Sequence, residues 1–351
     1  MRILLYTDNH FCSNSSIVRS KGQKYSARLE NQIETLNWIN DIALEKNCDK
    51  MICLGDFFDS ATLNAEELTA LKEVKWNNLP KEFLVGNHEM GNNDLSYNST
   101  NALSQYGKVI DKPTVDCGFG YGILYLPYML ESNRKPLEEI IEKTTKEYHT
   151  GMVTTQEVKE RIILSHNDLK GIRYGQYESK QGFDIDEIEK ECSLFINGHL
   201  HNGQWITKKI LNLGNCTGLN FTEDGFKYKH QIAILDTNTL KIEFIENPYA
   251  FYFYQIDSFK ALQDHINEFS DKYTIATIKV PENILNQARD ICDKHFKAYR
   301  LLLDITKEKN EQKDIKQLLK NDYIMEFSNC CLENIDNSEI LKEEISLLNQ
   351  E

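Results

Sequence analysis

Five short apolar segments of the sequence each run directly into Asp, Asn or His. The segments end in the stretches YTDNH (6–10), CLGDFFD (53–59), LVGNHE (84–89), LSHND (164–168) and INGHLH (196–201). Their Ile, Leu and Val residues do not alternate with polar residues, as expected of strands that are covered on both faces. Because α/β proteins place their chemistry where strands end in glycine and polar side chains, this recurrence constrains both the fold and the site.

The order of apolar and amphipathic segments predicts an α/β fold. In the first half of the chain the pattern predicts strands at 2–6, 51–54 and 82–85 and helices at 28–46 and 65–74. After a predicted helix at 134–149, further strands are predicted at 161–166, 192–201, 208–215, 230–237 and 241–246. Alternation of strands and helices is typical of a layered α/β unit, so residues 1–247 are predicted to form one large mixed domain.

Two smaller regions are predicted beyond this domain. Pro248 and a cluster of aromatic residues mark a boundary, and a β-α-β-α-β order over 248–306 predicts a small α+β capping domain. Residues 307–351 are predicted to form a helical tail, in which Ser338 caps a helix with an apolar stripe. The stripe fits a helix packed on its own domain and a helix docked on a partner equally well.

Composition narrows the class of protein. The 351 residues carry a formal net charge of −14, which argues against a protein that binds DNA by itself through a broad basic face. Carboxylates that hold divalent metals, or a partner with a basic surface, would reconcile this acidity with a phosphate substrate. The nine cysteines form no Cys-x-x-Cys, so neither a disulfide framework nor a zinc knuckle is expected. No apolar stretch resembles a membrane span or a signal peptide, which predicts a soluble cytoplasmic protein without membrane contact.

The polar residues at the five strand ends are of the types that bind transition metals. A single His at a strand end is more often a hydrogen-bonded structural residue, and Gly-Asp-x-x-Asp by itself is compatible with a turn capped by Asp. If the strands end at one edge of an open sheet, however, their side chains meet in one crevice. Carboxylate, imidazole and amide oxygen together suit Mn, Fe or Zn better than Ca or Mg. Two ions about 3.5–4 Å apart that share a carboxylate form a known clamp for phosphoryl chemistry.

The ordered motifs Asp-x-His, Gly-Asp-x-x-Asp, Gly-Asn-His-Glu, His and Gly-His-x-His resemble those of the calcineurin-like metallophosphoesterases over about residues 1–247. That resemblance implies a four-layer β-sandwich flanked by helices. Further stretches resemble the SbcD-type DNA repair nucleases, in particular the recombination endonuclease subunit of large tailed bacteriophages: VIDKPTVD (109–116), LYLPYM (124–129), GHLHNGQW (198–205), NLGNCTGLNFTED (212–224) and ILDTNTLKIEFIENP (234–248). A small α+β cap and C-terminal helices also belong to the SbcD-type pattern.

The resemblance implies two divalent metal ions and their ligands. Asp8, His10, Asp56 and His201 would hold one ion, and Asp56, Asn87, His166 and His199 would hold the other, so that Asp56 bridges the two. Mn²⁺ is the expected metal, with Fe²⁺ and Mg²⁺ as alternatives. His88 would not bind metal and would be the catalytic residue, a donor to the developing charge or to the leaving oxygen. The implied reaction is hydrolysis of a phosphodiester bond by a hydroxide that the two metals activate.

Two acidic residues are expected to support these ligands. Glu89 is expected to accept a hydrogen bond from a neighbouring ring, since ligating imidazoles usually donate their other N–H. Asp59 stands where many archaeal and eukaryotic relatives carry His, and it is expected to be a partner of a ligand, as in bacterial and phage members. This departure leaves the role of position 59 in exonuclease action open.

Basic residues that follow two of the motifs are candidate DNA contacts. They are Arg19, Lys21, Lys24, Arg28, Lys170 and Arg173, with Tyr174 beside the last. A track of basic side chains beside a nuclease site would bind phosphates, but solvated loop charges explain the same residues equally well.

Three functions remain open from the sequence alone. The resemblance implies a Mn-dependent DNA exo- and endonuclease that works as a homodimer with an SbcC-like coiled-coil ATPase in recombination or repair, with the helical tail as the docking segment. The alternative with the same fold is a metallophosphatase that acts on a non-DNA phosphoester. A scaffold that keeps metal ligands only for stability is a third hypothesis, which the complete set of ligands and His88 argues against.

Overall fold

A computed structural model describes residues 1–15, 22–118, 121–151, 160–174 and 177–303. Its strands are β1 (Arg2–Tyr6), β2 (Lys50–Cys53), β3 (Lys81–Leu84), β4 (Met90–Gly91), β5 (Asp94–Asn98), β6 (Lys108–Ile110), β7 (Thr114–Gly118), β8 (Tyr121–Leu126), β9 (Glu160–Ser165), β10 (Arg173–Tyr174), β11 (Tyr177–Glu178), β12 (Leu194–Asn197), β13 (Gln204–Trp205), β14 (Ile210–Asn212), β15 (Gln231–Asp236), β16 (Lys241–Glu246), β17 (Tyr252–Ile256), β18 (Thr274–Val280) and β19 (Ala298–Leu303). Its α-helices are α1 (Ala27–Glu45), α2 (Ala65–Leu71), α3 (Leu137–Gly151), α4 (Ile185–Glu191), α5 (Phe259–Asp264) and α6 (Leu285–His295).

The first two helices begin at residues that satisfy their free N–H groups. The Ser26 side chain accepts a hydrogen bond from the Leu29 amide at the start of α1. At the start of α2, Asn64 and Glu67 form a capping box, in which each side chain accepts from the other residue's backbone amide. These caps explain why both helices begin within a residue of their predicted positions.

Two six-stranded sheets form the centre of the structure. The first sheet has the order β16-β15-β1-β2-β3-β6, and the second has the order β13-β14-β12-β9-β8-β7. In the first, β1, β2, β3 and β6 run parallel to one another. In the second, β8, β9, β12 and β14 do the same. Each sheet therefore collects the carboxyl ends of several strands at one edge.

Successive residues of the central strands pack into different cores, because side chains alternate between the two faces of a strand. In β1, Leu4 and Tyr6 pack on the side of α1, whereas Ile3 and Leu5 pack between the two sheets. In β9, Ile163 packs on the outer side of the second sheet with residues of α3 and α4. The result is helix, sheet, sheet, helix, so the predicted four-layer α/β sandwich is confirmed.

The residues from β17 to β19 form a separate small sheet. Its order is β17-β18-β19, all parallel, and α5 and α6 pack on it around a hydrophobic cluster that includes Tyr254, Leu262 and Ile278. The predicted β-α-β-α-β order is confirmed, and the domain division at residues 247 and 306 stays a prediction. The chain clusters into two units, Met1–Leu303 and Asp304–Glu351. The predicted helical tail, with its candidate docking stripe, lies outside the described residues.

Several predicted boundaries were wrong: the helix predicted over 65–74 ends at Leu71, the strand predicted over 208–215 covers Ile210–Asn212, and two others differ for local reasons. The helix predicted to start at residue 134 starts at Leu137, directly after Pro136, whose ring fixes its backbone for a first turn but not for a helix interior. The strand predicted over 192–201 ends at Asn197, because His199 has a φ of 71° and turns the chain. Helix α4 and the β4–β5 hairpin were not predicted. No helix in the described ranges is long and apolar enough to cross a membrane.

Candidate metal centre

The five strand ends meet at one edge of the sandwich. His10 Nε2 lies 3.2 Å from His201 Nε2, and Asp8 Oδ1 lies 3.9 Å from each of these two nitrogens. Asp8 Oδ1 is buried and has no hydrogen-bond partner among the residues that the structure describes. We call Asp8, His10 and His201 the first ligand group. Two imidazole nitrogens and a buried carboxylate oxygen that face each other are an arrangement that a cation would stabilise.

A second cluster of ligand-type atoms lies beside the first. Asp56 Oδ2 is 3.1 Å from His166 Nε2, and both side chains are buried. The Asn87 amide oxygen is 2.9 Å from His199 Nδ1, and the His166 and His199 rings are 5.2 Å apart. We call Asp56, Asn87, His166 and His199 the second ligand group. The predicted ligands are thus brought together as two neighbouring groups.

Asp56 lies between the two groups. Its Oδ2 atom, which faces His166, is also 4.0 Å from His10 Nε2 of the first group. The ligand atoms of Asp56, His166 and His199 lie within 4.8 Å of one another, and so do those of Asp8, His10 and His201. This geometry, the donor types and the buried Asp8 Oδ1 atom fit two divalent ions that share one carboxylate.

Four residues of the centre have left-handed backbone conformations. The φ angles are 50° for Asp8, 45° for His10, 47° for Asp56 and 71° for His199. Asp and His adopt this region more readily than most residues, but each such residue still costs on the order of 1–3 kcal/mol. These conformations turn the backbone sharply after each of these strands, so that the side chains point into the crevice.

Two glycines are required by close approach of the loops. A Cβ at Gly86 would lie 2.1 Å from Asp56 Oδ1, and one at Gly55 would lie 2.4 Å from His166 Nδ1. Gly55 also has a φ of 118°, which side chains rarely adopt. At Gly86 the requirement is space for the Asp56 carboxylate.

Three of the four imidazoles are oriented through Nδ1. His10 Nδ1 is 2.9 Å from Asp59 Oδ1, and His201 Nδ1 is 2.9 Å from Glu223 Oε1. His166 Nδ1 donates to the Leu54 carbonyl at 2.9 Å. Each contact turns Nε2 toward the centre, as partners of metal-ligating imidazoles do. Burial lowers the pKa of His201, but the hydrogen bond to Glu223 and the charges of Asp8, Glu223 and Asp56 together outweigh it, and the pKa is raised.

The residues that support the ligands differ in part from those predicted. Asp59 lies where a ligand's partner was expected. Glu89 was expected to accept from an imidazole, but its oxygens accept from the backbone amides of Phe58 and Gly86, at 3.0 and 2.8 Å. Sequence reasoning missed Glu223, although its stretch was noted for resemblance, and Asp168, whose Oδ1 is 3.1 Å from His199 Nε2. No spacing rule connects these two residues to the histidines that they contact.

His88 lies at the exposed side of the centre. Its side chain is 43% exposed, and its ring stands edge-on to the His10 ring with centroids 4.6 Å apart. Its amide donates to Asp56 Oδ1 at 3.0 Å, and Nδ1 donates to the Asp59 carbonyl at 3.1 Å. A ligand atom of His88 also lies within 4.8 Å of those of His10 and Asp56. The ring is therefore held beside the ligands and open to a substrate.

The charge states of the buried groups are set by their neighbours. Burial raises the pKa of Asp56, but the charge and hydrogen bond of His166 outweigh it and the pKa is lowered. Burial lowers the pKa of His166, but the Asp56 and Asp8 carboxylates raise it to about 9. Burial, followed by repulsion from Asp56, raises the pKa of Glu89 to about 7. Without metal the centre pairs an ionised Asp56 with a protonated His166, and a cation would take the place of that proton.

The candidate DNA contacts are not brought together in the described residues. Lys24 is exposed and pairs with Glu73 at 2.7 Å. Arg28 is buried and donates to the Gly218 carbonyl at 2.7 Å, so its prediction as a DNA contact was wrong. Lys170 is exposed, and Arg173 begins the short strand β10 with Tyr174 beside it. Arg19 and Lys21 lie outside the described residues.

Comparison with known proteins connects this centre to one family. The model of the calcineurin-like phosphoesterase family matches residues 1–203. The chain is 23% identical over 335 residues to the DNA double-strand break repair protein Mre11 of Sulfurisphaera tokodaii, covering 85% of this chain and 81% of that protein. It is 28% identical over 252 residues to the protein named "Probable exonuclease subunit 1" of Escherichia phage T5, covering 70% of this chain and 69% of that protein.

One similar solved structure is the crystal structure of TT1561 of Thermus thermophilus. It shares 12% identity, with 70% of this chain and 98% of that chain covered and a TM-score of 0.39. At this TM-score the family assignment depends on the sequence match and on the ligand geometry.

Proposed function

Because the chain belongs to the calcineurin-like phosphoesterase family, we propose that it is a nuclease that hydrolyses phosphodiester bonds in DNA. The observation that carries the proposal is the meeting of seven ligand-type side chains in two groups that share Asp56. The printed names of both sequence relatives are those of DNA-processing proteins, which supports DNA as the substrate. Members of this family are phosphoester hydrolases with two metals, so the reaction class follows from membership.

The two ligand groups are proposed to hold one divalent ion each. Asp8, His10 and His201 would hold the first ion and Asn87, His166 and His199 the second, with Asp56 shared. The proposed metal is Mn²⁺, with Fe²⁺ and Mg²⁺ as alternatives, and the donor set of carboxylate, imidazole and amide oxygen suits Mn²⁺ and Fe²⁺ better than Mg²⁺. When bound, two such ions polarise the phosphate and lower the pKa of water.

The protein's own residues position the substrate and move a proton. His88 Nδ1 donates to the Asp59 carbonyl, so Nε2 is the nitrogen left to face a bound phosphodiester. A proton on Nε2 is the one that can pass to the leaving ribose oxygen as the bond to phosphorus breaks. The hydrogen bond from the His88 amide to Asp56 fixes this ring relative to the shared ligand.

We extend the proposal to assembly. The SbcD-type resemblance supports a homodimer that works with an SbcC-like coiled-coil ATPase in recombination or repair. The words "double-strand break repair" and "subunit" in the names of the two relatives fit a repair role and a complex of several subunits. The net charge of −14 fits a complex in which the partner supplies much of the basic DNA-binding surface. A phage-encoded origin, a cytoplasmic location and docking through residues 307–351 belong to the same proposal.

The test is an assay of the purified protein, with and without such an ATPase, on end-labelled single- and double-stranded DNA in Mn²⁺. Cleavage of DNA with little hydrolysis of p-nitrophenyl phosphate is expected, and the reverse pattern would indicate a metallophosphatase. His88→Ala is expected to lower DNA cleavage by about 10²–10⁴-fold while both metals stay bound. The control His295→Ala, at the end of α6, is expected to keep full activity. Equal activity of the two variants would contradict the role of His88.

A further inference from the structure

A cavity of about 380 Å³ lies on the side of the second sheet, between α3 and the loops that follow β6 and β8. Its basic lining residues are Lys112, Lys135 and Lys143, and its apolar lining residues include Pro113, Met129 and Ile140. None of the residues of the metal centre lines it. The cavity is therefore a separate feature that the chemistry of the centre does not explain.

The cavity is next to the metal centre along the chain. Met129, which lines it, follows Tyr128, whose ring centroid is 5.8 Å from that of His199. The Met129 amide donates to the side chain of Asn167, the residue after His166, at 2.9 Å. Lys112 follows β6, which runs parallel to β3, and the loop after β3 carries Asn87. Both loops leave the same sheet edge as the ligands, so a chain molecule bound at the centre can extend into the cavity.

The amino groups of the cavity are free to bind an anion. Lys112, Lys135 and Lys143 are exposed, and in the part of the chain that the structure describes none of them forms an ion pair or a side-chain hydrogen bond. Two glutamates of α3, Glu139 and Glu147, line the same cavity. Three cations and two carboxylates beside an apolar wall fit a ligand that carries a phosphate, polar groups and an apolar face better than they fit inorganic phosphate.

We propose that this cavity binds one nucleotide of the substrate strand, adjacent to the nucleotide whose phosphate is cleaved. The lysines bind its phosphate, and Pro113, Met129 and Ile140 contact its base. Carboxylates such as Glu139 can accept from the exocyclic amino groups that adenine, guanine and cytosine carry. The volume admits a nucleotide with its base, which a site for a bare phosphate would not require. This inference rests on the proposed nuclease function and adds a binding site for the neighbouring nucleotide of the DNA strand.

The chain offers a matched pair of variants for the test. Lys112→Glu with Lys143→Glu changes two lysines of the cavity. Lys108→Glu with Lys146→Glu makes the same charge change at the other end of β6 and elsewhere on α3, at residues that do not line the cavity. Lys112→Met with Lys143→Met removes the cations without adding repulsion. Thermal unfolding of each variant checks that the fold is kept.

The substrates are single-stranded oligonucleotides of two, four and eight nucleotides and bis(p-nitrophenyl) phosphate, all in Mn²⁺. For the cavity variants, kcat/KM on the octanucleotide is expected to fall about tenfold more than on the small diester, and the slope of log affinity against log salt to fall by about 1.4. The variant of Lys108 and Lys146 is expected to behave like the wild type. Equal behaviour of the two variants, with an active wild type, overturns the cavity assignment.

Further experiments distinguish failure of the cavity proposal from failure of the proposed nuclease function. A wild type that cleaves neither DNA nor bis(p-nitrophenyl) phosphate would count against the nuclease function itself, not only against the cavity. An abasic scan of the octanucleotide is expected to raise KM at one position, and a flat profile overturns base contact in the cavity. Free deoxyadenosine monophosphate is tested as a competitor of the octanucleotide. If it competes through the same lysines, and the lysine substitutions affect substrates of two, four and eight nucleotides equally, the cavity binds free nucleotides. The assignment of the cavity to the substrate strand would then be wrong.

Discussion

The two ligand groups face each other across Asp56, yet they are supported in different ways. In the first group both imidazoles are oriented by carboxylates, Asp59 on His10 and Glu223 on His201. In the second group His166 is oriented by the backbone carbonyl of Leu54. A backbone carbonyl neither titrates nor can be deleted by substitution. The comparison teaches that both imidazoles of the first group depend on carboxylate side chains through Nδ1, whereas in the second group only His199 contacts one, Asp168, through Nε2.

That dependence reaches three residues beyond the ligand His201. Glu223 Oε2 accepts from the Asn215 amide nitrogen at 2.9 Å, and Asn215 Oδ1 accepts from His230 Nδ1 at 2.7 Å. All three residues are buried. The orientation of His201 is thus the end of a chain of hydrogen bonds, in which each link fixes the next.

The largest effect is expected from Asp56→Asn, which changes the ligand that both groups share. Loss of the bridging charge is expected to remove both ions and to lower hydrolysis by about 10³-fold or more. Metal content and hydrolysis of bis(p-nitrophenyl) phosphate measure the two effects. Asp94→Asn, on the exposed β5, is the matched control. Retention of one ion at full occupancy would show that Asp56 belongs to one group only.

Glu223→Gln is expected to weaken metal binding in the first ligand group but not in the second. The amide keeps the volume but loses the charge that favours the N–H of His201, so the affinity for the first ion should fall about 10–100-fold. The second ion should bind as in the wild type. Titration with Mn²⁺ followed by calorimetry measures both sites, and an equal loss at both would contradict the asymmetry.

A pH effect on stability is expected from His230. Burial lowers its pKa to about 4, and its Nε2 is buried without a partner. Because the folded pKa lies below the unfolded value of 6.5, the stabilisation is present above pH 6.5 and is lost as the pH falls toward 4. Acidification from pH 7 to 5 should lower the free energy of unfolding of the metal-free protein by about 2 kcal/mol through this group. In urea unfolding of His230→Gln, the free energy of unfolding should depend less on pH than in the wild type. An unchanged pH dependence would rule out His230 as the cause.

Asp59→Asn is expected to give the smallest effect. Its side chain is 47% exposed, so water can replace part of its contact with His10. Burial raises the pKa of Asp59, but its contact with His10 outweighs this and lowers it, which means that the charged form is the one bound. Affinity for the first ion should fall by about threefold to tenfold, less than in Glu223→Gln. The same calorimetric titration measures this affinity. A loss of affinity larger than that in Glu223→Gln would show that Asp59 contributes more to binding of the first ion than Glu223 does.

Much of the site could be predicted because its residues follow strands directly. Asp8, His10, Asp56, Asn87 and His199 each lie within a few residues of an apolar run, so strand prediction and the position of the ligand are one inference. Glu223 and Asp168 could not be predicted in this way, because their contacts depend on where separate loops cross. Arg28 was misjudged for the same reason: a basic residue next to a motif looks exposed until the fold covers it.

The sequence by itself determined the layered α/β architecture, the strand ends that carry ligands and the family to which they belong, because periodicity and residue type are local properties. Only the tertiary structure decided which carboxylate orients which imidazole, that Glu89 binds backbone amides, and that three lysines line one cavity between α3 and the loops after β6 and β8. These features depend on distances between segments far apart in the chain, which loop conformation and packing set and no local pattern encodes.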